Sequence, residues 1–272
     1  MNLHLASIHI HPVKSLGGFP VDRARLTDRG LEHDRRWMLV DAEGRFISQR
    51  EIPAMACLHC KPTAKGFQVT DIRDGRHLDL PWALQSGSTM PASVWDEPVD
   101  VIPAPPVMAK WFAQQLGVSC TPVFMPDGTL RPTDTRYAQA VTSLSDGFPY
   151  LILSQTSLDD LNSRLGAHSQ VSMDRFRPNL VIAGGTAFQE DDWRHILIGE
   201  YIFHLVKPCA RCIITTTDQR TGARGKEPLA TLSRYRRRAS DAAKVDFGMN
   251  AVGSIDGVLR VGDAVKMYEE GS

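Results

Sequence analysis

Along the first hundred positions of this chain, apolar and polar residues alternate more often than they recur at helical spacing. Residues 3–13, "LHLASIHIHPV", lean toward a period of two, the spacing of a strand with one buried face. Residues 37–40 and 46–48 flank Asp41-Ala42-Glu43-Gly44 and predict a hairpin. Residues 67–72 and 77–80 flank Arg73-Asp74-Gly75-Arg76, where Asp-Gly supplies the positive φ of a tight turn. Residues 94–102 predict one further strand. Helical spacing first shows at 105–116, with proline near the start and Gly117 at the end. Residues 126–148 are polar without a clear period, which predicts a long surface connection of the kind that often carries function. The clearest helix is expected at 157–165, with Ser157 as its cap, Asp160 three residues on and Gly166 as its stop. Strands are expected at 179–183, 196–199, 201–206 and 212–217, a helix at 228–237, and a closing strand in "VGDAVKMYE", 261–269.

Many short strands with about three helices predict a mainly β chain with attached helices (α+β), barrel-like or sandwich-like. The pattern has no internal repeat and no glycine-rich dinucleotide or phosphate loop. A length of 272 residues leaves room for one large domain or two ordinary ones. Lys+Arg and Asp+Glu both number 31, so no global field favours nucleic acid or an anionic membrane. The N-terminus reads as a strand and no run of 18 apolar residues occurs. Neither a nucleic-acid nor a membrane partner is expected, and an odd count of five cysteines fits a reducing, cytoplasmic setting.

The cysteines form two Cys-x-x-Cys pairs, Cys57/Cys60 and Cys209/Cys212, with Cys120 alone as a core residue. Two such pairs are a zinc signature, yet they stand about 150 residues apart, far wider than zinc ribbons use. "MACLHC" also reads as strand, where residues i and i+3 point to opposite faces. Around the second pair, Pro208 is expected to end the strand 201–206, and Cys212 to open the next strand, "CIITTTD". Lys207 and Arg211 flank that turn, so a thiol there is expected to have a depressed pKa. A dithiol, a persulfide-carrying nucleophile, a thiolate metal ligand and two structural thiols all remain open.

Three stretches offer groups for an anionic ligand. "HPVKSLGG" places Lys14 and Ser15 after a strand and before two glycines. "EHDRRWMLVD" offers Arg35 and Arg36 on opposite faces, one of them buried and paired, and "DRFRPNLVIAGG" offers Arg177 and Asn179. Arginine forks grip phosphate in bidentate fashion, and an Asn amide reads a heterocycle edge. The bland alternatives are ion pairs: Arg35 with Asp34, Arg177 with Asp174 or Glu190. The basic run "SRYRRRASD" is a solvated helix end or a docking patch for an acidic electron donor.

"HPVKS", "DRRWMLVD", "SDGFPYLILSQTSLDDLNSRL", "FRPNLVI", "CARCIITTTDQRTG", "KEPLATL", Phe247-Gly248 and "VGDAV" occur in that order. With them the whole chain resembles the MOSC-domain proteins that carry a MOSC N-terminal β-barrel segment. Within these it is similar to the group of the mitochondrial amidoxime-reducing component and bacterial relatives that reduce N-hydroxylated bases. The resemblance implies residues 1–125 as the MOSC N-terminal β-barrel domain and 126–272 as the MOSC domain. It also implies a molybdenum cofactor, Mo-molybdopterin, with Cys212 as the protein's ligand to the metal and the catalytic thiolate. A soft thiolate suits a sulfur-rich metal centre.

By the same resemblance Lys14, Ser15 and Arg35 match positions that contact the pterin or its phosphate, and Arg177, Asn179 and Arg211 match others. Asp146-Gly147-Phe148 stands where animal members have Asp-Thr-Ser, so hydroxyl contacts there are replaced by backbone ones. The implied reaction is N–O bond reduction of a small N-hydroxylated substrate. Some bacterial relatives carry a C-terminal [2Fe–2S] domain, and no four-cysteine cluster of that kind follows "VGDAV" here. Electrons are therefore expected from a separate ferredoxin-, flavodoxin- or flavoreductase-like protein. MOSC domains also end cofactor sulfurases, so a sulfur-carrier or cofactor-handling protein with a Cys212 persulfide is the alternative.

Overall fold

The strand-rich pattern folds into a mainly β chain with three α-helices, seen in a computed structural model that describes residues 2–268. Its largest sheet has nine strands. Phe19–Val21 pairs with His4–Ile10, followed by Leu180–Ala183, Tyr150–Ser154, Asp241–Gly253, Tyr201–Ala210, His195–Ile198 and Val265–Met267, while Arg237–Arg238 pairs onto Asp241–Gly253. The last strand returns to the first: His4 bridges Ala264, Leu5 N donates to Asp263 O, and Val265 N to Leu3 O. The sheet thus closes on itself, which removes its free edges. Every pairing in it is antiparallel except Tyr150–Ser154 with Leu180–Ala183, which is parallel and is crossed by helix α2, Gln155–Arg164. Such a crossover is what a parallel pair requires.

Of four smaller sheets among the described residues, two complete the frame. Trp37–Val40, Thr121–Phe124, Glu97–Pro103 and Met90–Val94 form one, and Leu58–Thr63, Gly66–Asp71 and His77–Pro81 the other. The main core runs through all of them, from Leu5, Ile8 and Phe203 to Trp37, Phe67 and Phe112. The strands His4–Ile10 and Phe19–Val21 lie in the large sheet with the later strands, so the first residues of the chain reach the site that the last hundred build.

Several elements follow the sequence pattern. The hairpin through Asp74-Gly75 is present, with Gly75 at φ 76°, and helix α1 spans Pro106–Leu116 with Gly117 left-handed at its end. Residues 46–48 make only one bridge, Phe46 with Val40, because the chain turns away at Ser48 to bond Glu51. Residues 94–102 are not one strand. Trp95 takes φ 58° and folds them into a hairpin, a turn for which no glycine or asparagine gave a signal.

The cap of α2 is Ser154, whose Oγ accepts Ser157 N at 3.1 Å; Ser157 is buried inside the helix and donates to Glu190. Leu165 stands at its C-terminal end. Pro208 does not end its strand, which continues to Ala210 through two bulges on a neighbour that supplies the pairing. Residues 212–217 are a 3-10 turn, Ile213–Thr216, capped by Cys212. There the Thr215 and Thr216 hydroxyls return to the carbonyls of Cys212 and Ile213, a local bond that outweighs β propensity. The helix near 228–237 is α3, Leu229–Tyr235, and of the expected closing strand Glu269 lies outside the described residues.

Candidate functional site

Backbone pairing brings the anion-type stretches together before any side chain is considered. Lys14 N donates to Trp37 O at 2.7 Å and Arg35 N to His11 O at 2.8 Å, so the turn after the first strand lies against 35–37. Leu144 N donates to Arg35 O, and Ser143 Oγ to Asp34 O, which draws the long 126–148 connection over the same place. Buried Arg131 shapes the end of that connection by donating to the carbonyls of Ser143, Ser145 and Asp146. From the other side come Arg175–Asn179 and the Ala210–Thr215 turn.

These segments enclose a cleft of about 130 Å³. Lys14, Ser15, Arg35, Asp146, Gly147, Arg177, Asn179, Arg211 and Cys212 all line it. Arg50, Ser145, Arg175, Thr215 and Asn250 line it as well and carried no role in the sequence reading, and Cys209, read there as the other member of the pair, lines it too. Arg175 had a visible signal, two positions before Arg177 in "DRFRPN". Arg50 had none, because only the tertiary fold turns it toward Asp146.

Six cations face this cleft against one lining carboxylate, in a chain whose formal net charge is zero. Lys14 pairs with Asp146 at 2.5 Å, and Arg50 reaches its other oxygen at 3.9 Å. Arg35 pairs with buried Asp34, and Arg175 with Asp218 at 2.8 Å. Arg177 and Arg211 make no ion pair among the described residues; Arg177 donates to Leu16 O, and Arg211 to Phe176 O and to Cys209 Sγ. The carboxylates Asp174 and Glu190, considered as partners for Arg177, do not fill that role. Arg177 Nη2 and Arg211 Nε are buried without any hydrogen-bond partner. Buried polar groups in native proteins are nearly always satisfied, so an unpaired guanidinium edge beside a cleft marks a place for an acceptor-bearing ligand.

The electrostatics carry the cost of this arrangement. Burial, followed by repulsion from Arg35, lowers the Arg177 guanidinium to about 10. Burial lowers the Lys14 ammonium to about 8, with Asp146 working in the opposite direction. For Asp146, whose side chain is 64% exposed, desolvation by the cleft walls works to raise the carboxyl, but the Lys14 charge and hydrogen bond outweigh it and hold the group below the usual range. Backbone strain gathers here too. Ser15 (φ 67°), Arg35 (φ 50°) and Arg177 (φ 56°) are three of the seven non-glycine residues described with positive φ. Such outliers concentrate where function holds them.

A pH dependence follows from Lys14. It carries its charge below pH about 8 and loses it above. Sulfate, a dianion throughout this range, is therefore expected to bind cofactor-free protein at full strength below that pH and more weakly as pH rises past it, measured by calorimetry between pH 6.5 and 9.5. The sign for folding is opposite. A lysine whose folded pKa lies below its unfolded 10.5 costs stability while charged, and that cost is relieved as pH rises from about 8 to 10.5.

Some expectations change in detail. Asn179 lines the cleft, but its Oδ1 accepts from Arg35 and from Leu151 N and its Nδ2 donates to His9 O, so it orients Arg35. The depressed thiol pKa is not found at Cys209: burial pushes it up, with Arg211 opposing. Cys57 ends a 3-10 turn and Cys60 lies in the next strand, and no group of three or more His, Cys, Asp or Glu able to hold a metal exists among the described residues. In the basic run, Arg236 pairs inward with Asp191 and Arg238 with Asp246, which leaves little of a docking patch. No helix among the described residues is long and apolar enough to cross a membrane.

Comparison with known proteins matches residues 2–119 to the MOSC N-terminal beta barrel domain and residues 139–266 to the MOSC domain. Mitochondrial amidoxime-reducing component 1 is 32% identical in both mouse and human, over 96% of this chain and 81% and 82% of those proteins. The molybdenum cofactor sulfurase of rice is also 32% identical, over 91% of this chain but only 32% of its own length. The chain belongs to the MOSC-domain family, in the arrangement that places a MOSC N-terminal β-barrel ahead of the MOSC domain.

Proposed function

We propose that this chain is a molybdenum-cofactor-dependent oxidoreductase that reduces N-hydroxylated substrates with electrons from a separate redox protein, with residues 1–125 and 126–272 as its two domains. The observation that carries the reading is the convergence of the Cys212 thiol with six cations, two of them lacking a carboxylate partner, in one cleft. A thiolate ligand and a dense cationic lining in one cleft fit a ligand with a metal dithiolene and a phosphate. Lys14, Ser15, Arg35, Arg177 and Arg211 would hold the pterin and its phosphate, with Asp146 and Asn179 orienting Lys14 and Arg35. Backbone at Gly147 lies open to the cleft. Cys212 would be the metal's protein ligand.

When bound, the cofactor supplies two-electron chemistry for N–O bond reduction. The chain itself neutralises the phosphate, because buried anionic charge requires paired cations and donors. It also presents Cys212 at the start of a turn pinned by the Thr215 hydroxyl. Names and lengths of relatives weigh in the same direction: the match spans most of the amidoxime-reducing components and about a third of the sulfurase. The test is anaerobic turnover of an aromatic amidoxime with reduced viologen as donor. The purified holoprotein is expected to form the amidine and Cys212→Ser to form none; a fully active Cys212→Ser protein refutes the reading.

A further inference from the structure

Two buried glutamines join two turns that line the cleft, without lining it themselves. Gln49 is fully buried and Gln219 nearly so. Gln49 Nε2 donates to Ser15 O at 2.8 Å and faces Gln219 Oε1 at 3.4 Å; Gln219 Nε2 returns a contact to Gln49 Oε1 at 3.3 Å and donates to Thr217 O at 3.0 Å. The orientation of each amide is fixed by its carbonyl partner, since only an N–H can face Ser15 O or Thr217 O. One end of this bridge is the strained residue of the anion-holding turn. The other is Thr217, which closes the 3-10 turn that Cys212 opens.

Outside the pair, Arg224 straps the same two segments. It donates to the carbonyls of Gln49 and Arg50, and Thr217 forms a backbone bridge with Arg224. His59 Nε2 lies 2.9 Å from Gln219 O and completes the bracket. Residues 170 positions apart are thus held at one separation by hydrogen bonds in a place that water does not reach. Buried amide networks of this kind are worth most when every member is satisfied.

We propose that the Gln49–Gln219 pair is the positioning device of the site, setting the separation between the Lys14–Ser15 turn and the Cys212–Thr217 turn. This rests on the reading that one bound molecule touches both turns; loss of the pair also frees the Ser15 carbonyl and so loosens the Lys14–Ser15 turn itself, which inorganic phosphate reads. Supporting groups that do not touch a ligand commonly change its affinity by about 10–100-fold when removed.

The test is the affinity of inorganic phosphate for cofactor-free protein, well below the unfolding temperature, together with molybdenum content of protein from a replete host. Gln49→Leu and Gln219→Asn are each expected to raise the phosphate Kd about tenfold and lower molybdenum content. Gln219 is the decisive position, since it contacts neither Ser15 nor the cleft: a folded Gln219→Asn protein with wild-type phosphate affinity overturns the proposal. Should Gln49→Leu fail to fold, Gln219→Asn and the exposed-strap variant Arg224→Ala decide, the latter expected to weaken phosphate by a smaller factor. A purely structural pair would lower the melting temperature and leave the Kd unchanged. Failure of the cofactor reading shows separately, as molybdenum retained by Cys212→Ser, and leaves the phosphate result standing.

Discussion

Asp34→Ala is expected to lower the stability of the fold by about 3–5 kcal/mol, the cost of leaving one member of a buried ion pair alone. Asp34 is 2% exposed and holds three things at once: the Arg35 guanidinium, His11 N at 2.8 Å, and through its carbonyl the Ser143 hydroxyl. Its side chain therefore decides where Arg35 points. Without it Arg35 keeps only the hydrogen bonds to Asn179 and the carbonyl of Arg177, and the carboxylate left in its field, Asp146, is already paired with Lys14. Urea denaturation of cofactor-free protein measures the loss. A loss under about 1 kcal/mol would place Arg35 in solvent-like surroundings, where ion pairs contribute that little.

Arg177→Met is expected to act in opposite directions on stability and binding. Arg177 is half-buried, makes no ion pair among the described residues, leaves a buried Nη2 unpartnered and sits at φ 56°. Removing a half-buried charge that has no ion-pair partner relieves its desolvation cost, so stability is expected to hold or rise. The same change removes a charge-assisted donor from the cleft, worth about 1.5–3 kcal/mol, so phosphate affinity should fall roughly 10- to 100-fold. Melting temperature and phosphate calorimetry on one preparation read both. A variant less stable and equally able to bind phosphate would make Arg177 a structural residue.

What was legible in the sequence was what local chemistry decides. Asp74-Gly75 and the Pro106 to Gly117 frame specify a turn and a helix within a few residues, and both formed as read. Ser154 and Ser157 are both good caps, and the choice between them was made by Glu190, distant in sequence, which takes the Ser157 hydroxyl. "CIITTT" reads as strand by propensity, but its threonines bond back to their own turn. Trp95 has no residue-type signal for a positive φ, so its hairpin was invisible. The longest strand, Asp241–Gly253, alternates poorly because its residues Val245–Met249 are all buried. At the site, Lys14, Arg35, Arg177 and Cys212 stood in recognisable stretches. Arg50, Gln49 and Gln219 did not, since their roles depend on tertiary neighbours.

The account stands most directly on one measurement: molybdenum by elemental analysis, with pterin fluorescence after oxidation, on wild-type and Cys212→Ser protein from a molybdenum-replete host. Near-stoichiometric metal and pterin in the wild type, with the metal lost from the variant, is the predicted result. Absence of both from the wild type, or molybdenum retained in full by Cys212→Ser, would contradict it.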